Sequence, residues 1–217
     1  MIRRKVRITG TMTVNTGLSI GGQKDGIGIA EKDNPIIRNP LTNKPYIPGS
    51  SIKGKMRSLF ERSGVGNSQN GLPCKCGKSD CPVCKLFGAH MNPNAACGTP
   101  RLIFRDANLT PAFESVEDSM LIENKAETAI DRISGTAKNG SLRQRERVAA
   151  GTEFLYEIII LVHDGDNEND MIQTVESGLR MIESTGLGGK VTAGYGHVDF
   201  HIGENTYHVE STKFMEA

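Results

Sequence analysis

The chain has 217 residues, 37% hydrophobic and 24% charged, which is ordinary globular composition with enough length for one good-sized core or a core carrying an inserted subdomain, and which excludes disorder of the whole. The N-terminus Met-Ile-Arg-Arg-Lys-Val-Arg runs into an alternating pattern instead of an apolar leader, and the longest strongly apolar run, Ile158 to Val162, is far too short to span a bilayer, so we expect a cytoplasmic chain without membrane contact. The net charge of +1 hides segregation: residues 1–57 hold eleven Lys/Arg against three Asp/Glu, residues 106–123 hold five acids and no base, and residues 157–184 hold seven acids against Arg180 alone, as a chain needs if one face meets polyanion and another meets solvent or a basic neighbour.

Lys5 to Val14 places Val6, Ile8, Met12 and Val14 on one side of a half-buried strand. Gly17 to Gly28 then sets five glycines in twelve residues, a loop that backbone or ligand can approach closely. Ile36 to Pro48 reads as short extended pieces turned at Asn-Pro and Asn-Lys-Pro. A helix is expected from about Ser50 to Ser63, with Ile52, Met56, Leu59 and Phe60 on one side and Lys53, Lys55 and Arg57 on others. Residues 64–100 form an insert rich in Gly, Asn, Pro and Cys with little periodicity, and Arg101 to Ala107 resumes strand. After an acidic loop, Ala129 to Gly135, Asn139-Gly140 and Ser141 to Val148 suggest a hairpin-like excursion with a basic second arm. Glu153 to His163 is a long apolar strand expected at the centre, Met171 to Glu183 a helix with Ile172, Val175, Leu179 and Ile182 on its stripe, and Gly196 to Ile202 a last strand. The order β-α-β…β-α-β is the split βαβ arrangement, an α+β ferredoxin-like sheet with two helices on one face and large inserts.

Three motifs carry chemistry. Cys74-x-Cys76-x4-Cys81-x2-Cys84 supplies four soft ligands in one short loop, the donor set of a closed tetrahedral Zn²⁺ site, in a compartment where thiols stay reduced. Reduced free cysteines and an iron–sulfur cluster are the alternatives, and His90 can substitute for Cys74 or Cys76 because Cys-x-Cys is tight. Four strong ligands leave no open position, so the metal is structural, clipping a segment that lacks a core of its own. Gly186-Leu-Gly188-Gly189-Lys190-Val-Thr-Ala-Gly194-Tyr-Gly196 follows a helix and precedes a strand; it is either a tight connection or a loop whose N–H groups, with Lys190, accept a chain of phosphates. Pro48-Gly-Ser50-Ser51 opens a helix that Ser50 or Ser51 can cap, and Lys53, Lys55 and Arg57 add positive charge to its start; the alternative is a capped helix with solvated bases.

Together, Gly17-Leu-Ser-Ile-Gly-Gly22, Asp33-Asn-Pro, Ile47-Pro-Gly-Ser-Ser-Ile-Lys-Gly-Lys-Met-Arg57, Lys85-Leu-Phe-Gly88, Ile130-Asp-Arg132, Arg145-Glu-Arg-Val148 and the glycine loop at 186–196 resemble, in order and over nearly the whole chain, the backbone subunits of type III-A CRISPR (Csm) effector complexes, which are RAMP-superfamily proteins. The chain departs from them at Ser19, where relatives often carry His, so a mechanism needing that imidazole is not expected.

The resemblance implies a single RAMP domain over residues 1–217 with an RRM-like core, a zinc-binding insert at 64–100 and a thumb hairpin at 123–148. It implies copies of the chain stacked along a CRISPR guide RNA beside other Csm subunits, with complementary single-stranded target RNA pairing to the guide. Ser50, Ser51, Lys53, Lys55, Arg57, Arg132, Arg145, Arg147, Gly186, Gly188, Gly189, Lys190, Gly194 and Gly196 are the expected RNA contacts. Asp33, which read alone is only part of a turn, matches the catalytic position. The implied activity is metal-dependent endoribonuclease cleavage of target RNA at regular intervals, with Mg²⁺ or another divalent cation bound only when RNA is present. The alternatives are a non-catalytic guide-RNA scaffold and a RAMP endonuclease that trims precursor guide RNA. The last commonly needs an early His, and here no His precedes His90.

Overall fold

The computed structural model describes residues 1–22 and 35–202 and the backbone of 207–211. Asp33 therefore lies outside the described residues. In chain order the elements are β1 (Ile2–Val14), α1 (Gly49–Arg62), α2 (Pro82–Phe87), β2 (Leu102–Phe104), β3 (Asn108–Leu109), α3 (Pro111–Glu114), α4 (Asp118–Leu121), β4 (Ile122–Glu127), β5 (Arg143–Val148), β6 (Glu153–His163), α5 (Glu168–Thr185), β7 (Val198–His201) and β8 (Tyr207–Ser211). The main sheet runs β2-β6-β1-β7 with antiparallel neighbours; β3 extends the β6 edge and β8 pairs with β1 beside β7. With α1 between β1 and β2 and α5 between β6 and β7, this is the ferredoxin-like arrangement the element order predicts.

Strand alternation sets the core face. Val6 opposes Ile160, Ile8 opposes Ile158 and Met12 opposes Phe154 across the β1–β6 register. All six side chains are buried, each worth about 1.5–3 kcal/mol of transfer free energy. Gly10 interrupts the apolar series because it faces Tyr156: a Cβ there would stand 2.7 Å from the phenol oxygen and 2.4 Å from the His201 carbonyl. The Tyr156 ring uses that space to meet Phe200 edge-on, centroids 5.3 Å apart.

The two helices cover this face. Ile52, Met56, Leu59 and Phe60 of α1 and Met171, Val175, Leu179 and Ile182 of α5 are buried. The α5 stripe starts at Met171, while Ile172, expected on it, is only partly buried against the cluster. The helices cross at Gly178, where a Cβ would lie 2.6 Å from Met56 Cγ, so the small residue lets the two backbones approach.

Three elements differ from expectation. α1 begins at Gly49 with no serine hydroxyl cap; the Gly49 N–H instead donates to Asp106 Oδ1 at 2.8 Å. The first arm of the hairpin is Ile122–Glu127, upstream of the Ala129–Gly135 stretch; Glu123 and Glu127 stand opposite Arg147 and Arg143, and these two opposite-charge pairs offset Lys125 facing Arg145. The 64–100 insert contains α2, whose Val83, Leu86 and Phe87 are buried, with Phe87 between Phe60 (6.1 Å) and Phe104 (6.2 Å). The insert thus has an apolar anchor as well as its cysteines.

Candidate functional site

Cys81 precedes α2 and Cys84 lies in its first turn, and the turn at Gly77 folds Cys74 and Cys76 back onto them. The Sγ atoms stand 3.6 Å (Cys74–Cys76), 3.9 Å (Cys74–Cys81), 3.7 Å (Cys76–Cys84) and 3.5 Å (Cys74–Cys84) apart, and no two of the four exceed 4.8 Å. A tetrahedron with Zn–S bonds of about 2.3 Å has edges of about 3.8 Å, so the sulfurs stand where one ion would hold them. None is in a disulfide. Burial pushes the Cys74 thiol up, but the amides of Cys76 and Asn67 and the neighbouring thiols outweigh it and bring it down to about 7, while burial raises Cys81 and Cys84. His90 is not part of the cluster; its amide donates to the Cys74 carbonyl at 3.2 Å.

The cysteine loop is bolted to α1. Arg57 pairs with Glu61 at 2.8 Å, and together they take both backbone groups of Cys74: the Cys74 N–H donates to Glu61 at 2.9 Å and Arg57 donates to the Cys74 carbonyl at 2.9 Å. Arg57, expected on RNA, is committed to this clamp. Ser50 is exposed, and Ser51, Lys53 and Lys55 are half-buried on the first turns of α1. Burial lowers both lysine pKa values, with Arg57 adding repulsion at Lys53 and Arg62 at Lys55.

On the core side, Lys85 and Arg101 converge on the buried carboxylate of Asp166 at 2.7 and 2.9 Å, and the His163 N–H adds a third donor at 3.0 Å. Burial alone would raise Asp166; these donors hold it at about 2. The insert is thereby tied to the turn before α5.

The glycine loop closes on the 17–19 segment. Gly189 N–H donates to the Ser19 carbonyl at 2.8 Å and Gly196 N–H to the Gly17 carbonyl at 3.1 Å, while Leu187 N–H meets the Gly196 carbonyl at 2.8 Å. A Cβ on Gly188 would lie 2.5 Å from Ser19 O, and Gly186, Gly188, Gly194, Gly196 and Lys190 all take positive φ. Part of the glycine content therefore serves the turn itself.

The base of the β4–β5 hairpin packs on this loop through Tyr195, 1% exposed. Its hydroxyl donates to Glu127 at 2.6 Å, and Arg147 and Lys125 approach its ring at 4.8 and 4.9 Å. Arg145 and Lys190 face the same Glu127, at 3.4 and 3.9 Å, and Arg147 pairs with Glu123 at 2.5 Å. Arg145, Arg147, Lys190 and the loop glycines are thus brought together, whereas Arg132 is exposed at the far end of the hairpin, beside a turn in which Asp131 accepts the amides of Ile133 and Ser134, both at 2.9 Å. Tyr195, Glu127 and Lys125 belong to this site and were not singled out from sequence, where only the Gly-Tyr-Gly spacing hinted at Tyr195.

On the other side of β5, Glu146 accepts Arg38 at 2.8 Å and the Ile36 N–H at 3.2 Å. Ile36 stands in a two-stranded stem, in which Ile37 N–H donates to Ile20 O at 2.9 Å and Gly22 N–H to Pro35 O at 3.0 Å. Residues 23–34, with Asp33, connect the ends of this stem.

Against known proteins, a family profile described as the RAMP superfamily matches residues 11–199. The chain is 43% identical to "CRISPR system Cms endoribonuclease Csm3" of Methanothermobacter thermautotrophicus, over 89% of this chain and 82% of the relative. The proteins of the same name are 37% identical in Streptococcus thermophilus (90% of this chain, 87% of the relative) and 36% identical in Mycobacterium tuberculosis (90% and 86%). Among solved structures, a Csm3–Csm4 subcomplex of the type III-A CRISPR-Cas interference complex superposes with TM-score 0.60 at 26% identity, over 97% of this chain and 90% of that one. A type III-B Cmr-β complex bound to cognate target RNA, at 18% identity and TM-score 0.64 over 96% of this chain and 61% of that one, shares the fold. Among the described residues no helix is long and apolar enough to cross a membrane.

Proposed function

The chain belongs to the RAMP superfamily, and from that membership we propose that it is the endoribonuclease backbone subunit of a type III-A CRISPR effector complex, cutting target RNA that pairs with a bound guide. Copies of the chain stack along the guide beside other Csm subunits in the cytoplasm. The guide's backbone lies on the first turns of α1 (Ser50, Ser51, Lys53, Lys55) and on the glycine loop with Lys190, Arg145 and Arg147, and base pairing reads the sequence. The hairpin, with Arg132 toward its tip, wedges into the guide–target duplex. Arg57 contributes by fixing the cysteine loop to α1.

Cleavage follows from splaying one nucleotide. Its freed 2′-OH attacks the adjacent phosphorus in line, the 2′-oxygen–phosphorus bond forms, and the 5′-oxygen leaves with a proton. Asp33 is the base that accepts the hydroxyl proton, or else the residue that would hold the divalent cation. A hard divalent cation such as Mg²⁺, held partly by Asp33 and partly by RNA phosphate oxygens, supplies charge neutralisation at the phosphoryl group. Zn²⁺ on Cys74, Cys76, Cys81 and Cys84 shapes the insert and takes no part in the reaction.

The observation that carries this reading is the convergence on β5. The stem that leads to Asp33 is bonded to Glu146, while Arg145 and Arg147 on either side of it reach the glycine loop. Replacing Asp33→Ala in the assembled complex tests it: assembly and target binding stay intact while cleavage falls by about 10²-fold or more. A target with a single 2′-deoxynucleotide at the cut position resists cleavage there. Undiminished cleavage by the Asp33→Ala complex would favour the scaffold alternative.

A further inference from the structure

The glycine loop is already occupied by an anion of the protein's own. One oxygen of Glu127 accepts the Tyr195 hydroxyl at 2.6 Å, and the other faces Arg145 Nε at 3.4 Å and Lys190 Nζ at 3.9 Å. Lys190 sits at the middle of the glycine loop with φ of 59°, so its ammonium is delivered to this point by the loop's own turn. Around Tyr195 and its partner Glu127, four cations (Lys125, Arg145, Arg147 and Lys190) meet, among the described residues, two carboxylates, Glu123 and Glu127. The neutralisation is also geometrically poor: Arg145 Nε and Arg147 Nε are buried without an aligned hydrogen-bond acceptor even though carboxylate oxygens stand close. A carboxylate offers two oxygens in one plane. A phosphodiester offers two anionic oxygens on a tetrahedral centre, and can meet the arginine, the lysine and the phenol from one position.

We propose that Glu127 is an internal stand-in for an RNA backbone phosphate. In the free chain it holds Arg145, Lys190 and Tyr195 in the arrangement a phosphate needs, and a ribose-phosphate strand displaces it when it seats. Its side chain retains 21% exposure, so it has a path to solvent. The hydrogen bond from Tyr195, followed by the neighbouring cations, keeps Glu127 below the usual carboxylate range, so the stand-in stays charged at neutral pH. The consequence is discrimination: an isolated anion must compete with a tethered carboxylate, whereas a long strand anchored at several sites displaces it with little loss. The inference rests on the RNA-binding reading above and concerns what the binding surface does before RNA arrives.

The test uses the purified full chain and a labelled oligouridylate of about 15 nucleotides, with affinity measured across about 50 to 200 mM KCl. Glu127→Gln preserves shape and an acceptor for Tyr195 while removing the charge. The expected result is tighter binding by about 5- to 10-fold at the low-salt end, because the same phosphate seats without first displacing a carboxylate, with a gain that shrinks as salt screens the charges. Glu127→Asp, which keeps the charge, should restore the wild-type affinity, and Glu127→Ala, which removes the carboxylate altogether, should tighten binding in the same direction as Gln. A carboxylate that served only as a brace would lower the melting temperature in Glu127→Gln and leave the affinity unchanged or weaker; that outcome overturns the proposal. Should Glu127→Gln fail to fold, an unchanged affinity in Glu127→Ala overturns it equally. A wild-type chain with no salt-dependent affinity for the oligonucleotide would instead sink the RNA-binding reading beneath it, so the two failures are told apart.

Discussion

Truncating Glu146 tests whether the hairpin holds the stem that leads to Asp33. The side chain is 2% exposed, accepts the guanidinium of Arg38 at 2.8 Å and receives the Ile36 N–H at 3.2 Å. The charge-assisted bond is worth about 1.5–3 kcal/mol and the amide bond about 1 kcal/mol. Breaking a fully buried pair costs about 3–5 kcal/mol, but Arg38 keeps 22% exposure and can recover water, so the lower end applies. We expect Glu146→Ala to lose about 3 kcal/mol and Glu146→Gln about 1–2 kcal/mol, because an amide oxygen still accepts one donor. For a chain of this size that is a fall in melting temperature of about 6–12 °C for Ala and about half that for Gln. Thermal melts of the metal-loaded protein give the totals, and native-state hydrogen exchange gives the place: the amides of Ile36, Ile37 and Gly22 should exchange faster in Glu146→Ala than those of β6. A fall below about 2 °C, or unaltered exchange at the stem, would refute the claim that this carboxylate fastens it.

Removing metal by chelation, or Cys81→Ser, should reduce bound zinc from about one equivalent and expose residues 64–100 to proteolysis while α5 stays protected; intact loop protection in metal-free protein would contradict the clip. Gly178→Ala should cost about 1–3 kcal/mol by overpacking against Met56. Thermal melts of the pair with Met56→Ala should show a smaller loss than the sum of the two singles, since the residues share one contact. Asp166 sits at about 2 folded against about 3.9 unfolded, so its contribution is present above about pH 4 and lost as pH falls through about 2. Acid melts of Asp166→Asn should lack that decline, in a protein already less stable at neutral pH.

What could be read from the sequence depended on whether a residue's partner was local. β6 was legible because eight of its eleven residues are apolar or aromatic, five of them in the unbroken run Ile158–Val162, and a strand that apolar must be covered on both edges and at least one face. The cysteines were legible because their spacing alone fixes how four sulfurs can meet. The first hairpin arm was not: Ile122–Glu127 alternates in charge instead of hydrophobicity, and it becomes a strand only opposite Arg143–Arg147. The cap on α1 comes from Asp106, 57 residues from Gly49, so the nearby serines drew attention that the geometry gives elsewhere. The Arg57–Glu61 pair was open to a sequence reading, since Glu61 stands one helical turn on and the pair is a common (i, i+4) bond. Tyr195 and Glu127 lie 68 residues apart, and no periodicity announces a buried phenol that meets a carboxylate across the loop.

The deeper regularity is that β5 serves two clients from its two faces. Strand geometry sends alternate side chains to opposite sides, and here Arg145 and Arg147 turn toward Tyr195 and the glycine loop while Glu146 and Val148 turn toward the stem and its apolar floor of Leu18, Ile20 and Ile36. The backbone of Val148 pairs with Leu18 in both directions, at 3.0 and 2.7 Å, fastening the strand to the very segment on which the glycine loop closes. A displacement of the hairpin therefore cannot leave either client where it was. A slip of β5 by one residue would exchange the two sets of side chains, placing arginines under the stem and a carboxylate against the loop. The cross-strand charges on β4 oppose that slip, because in either direction it separates Glu123 from Arg147 and Glu127 from Arg143. The Glu123–Arg147 and Glu127–Arg143 pairs, with the Val148–Leu18 backbone bonds, thus favour the register on which both the cations beside Tyr195 and the stem at Ile36 depend.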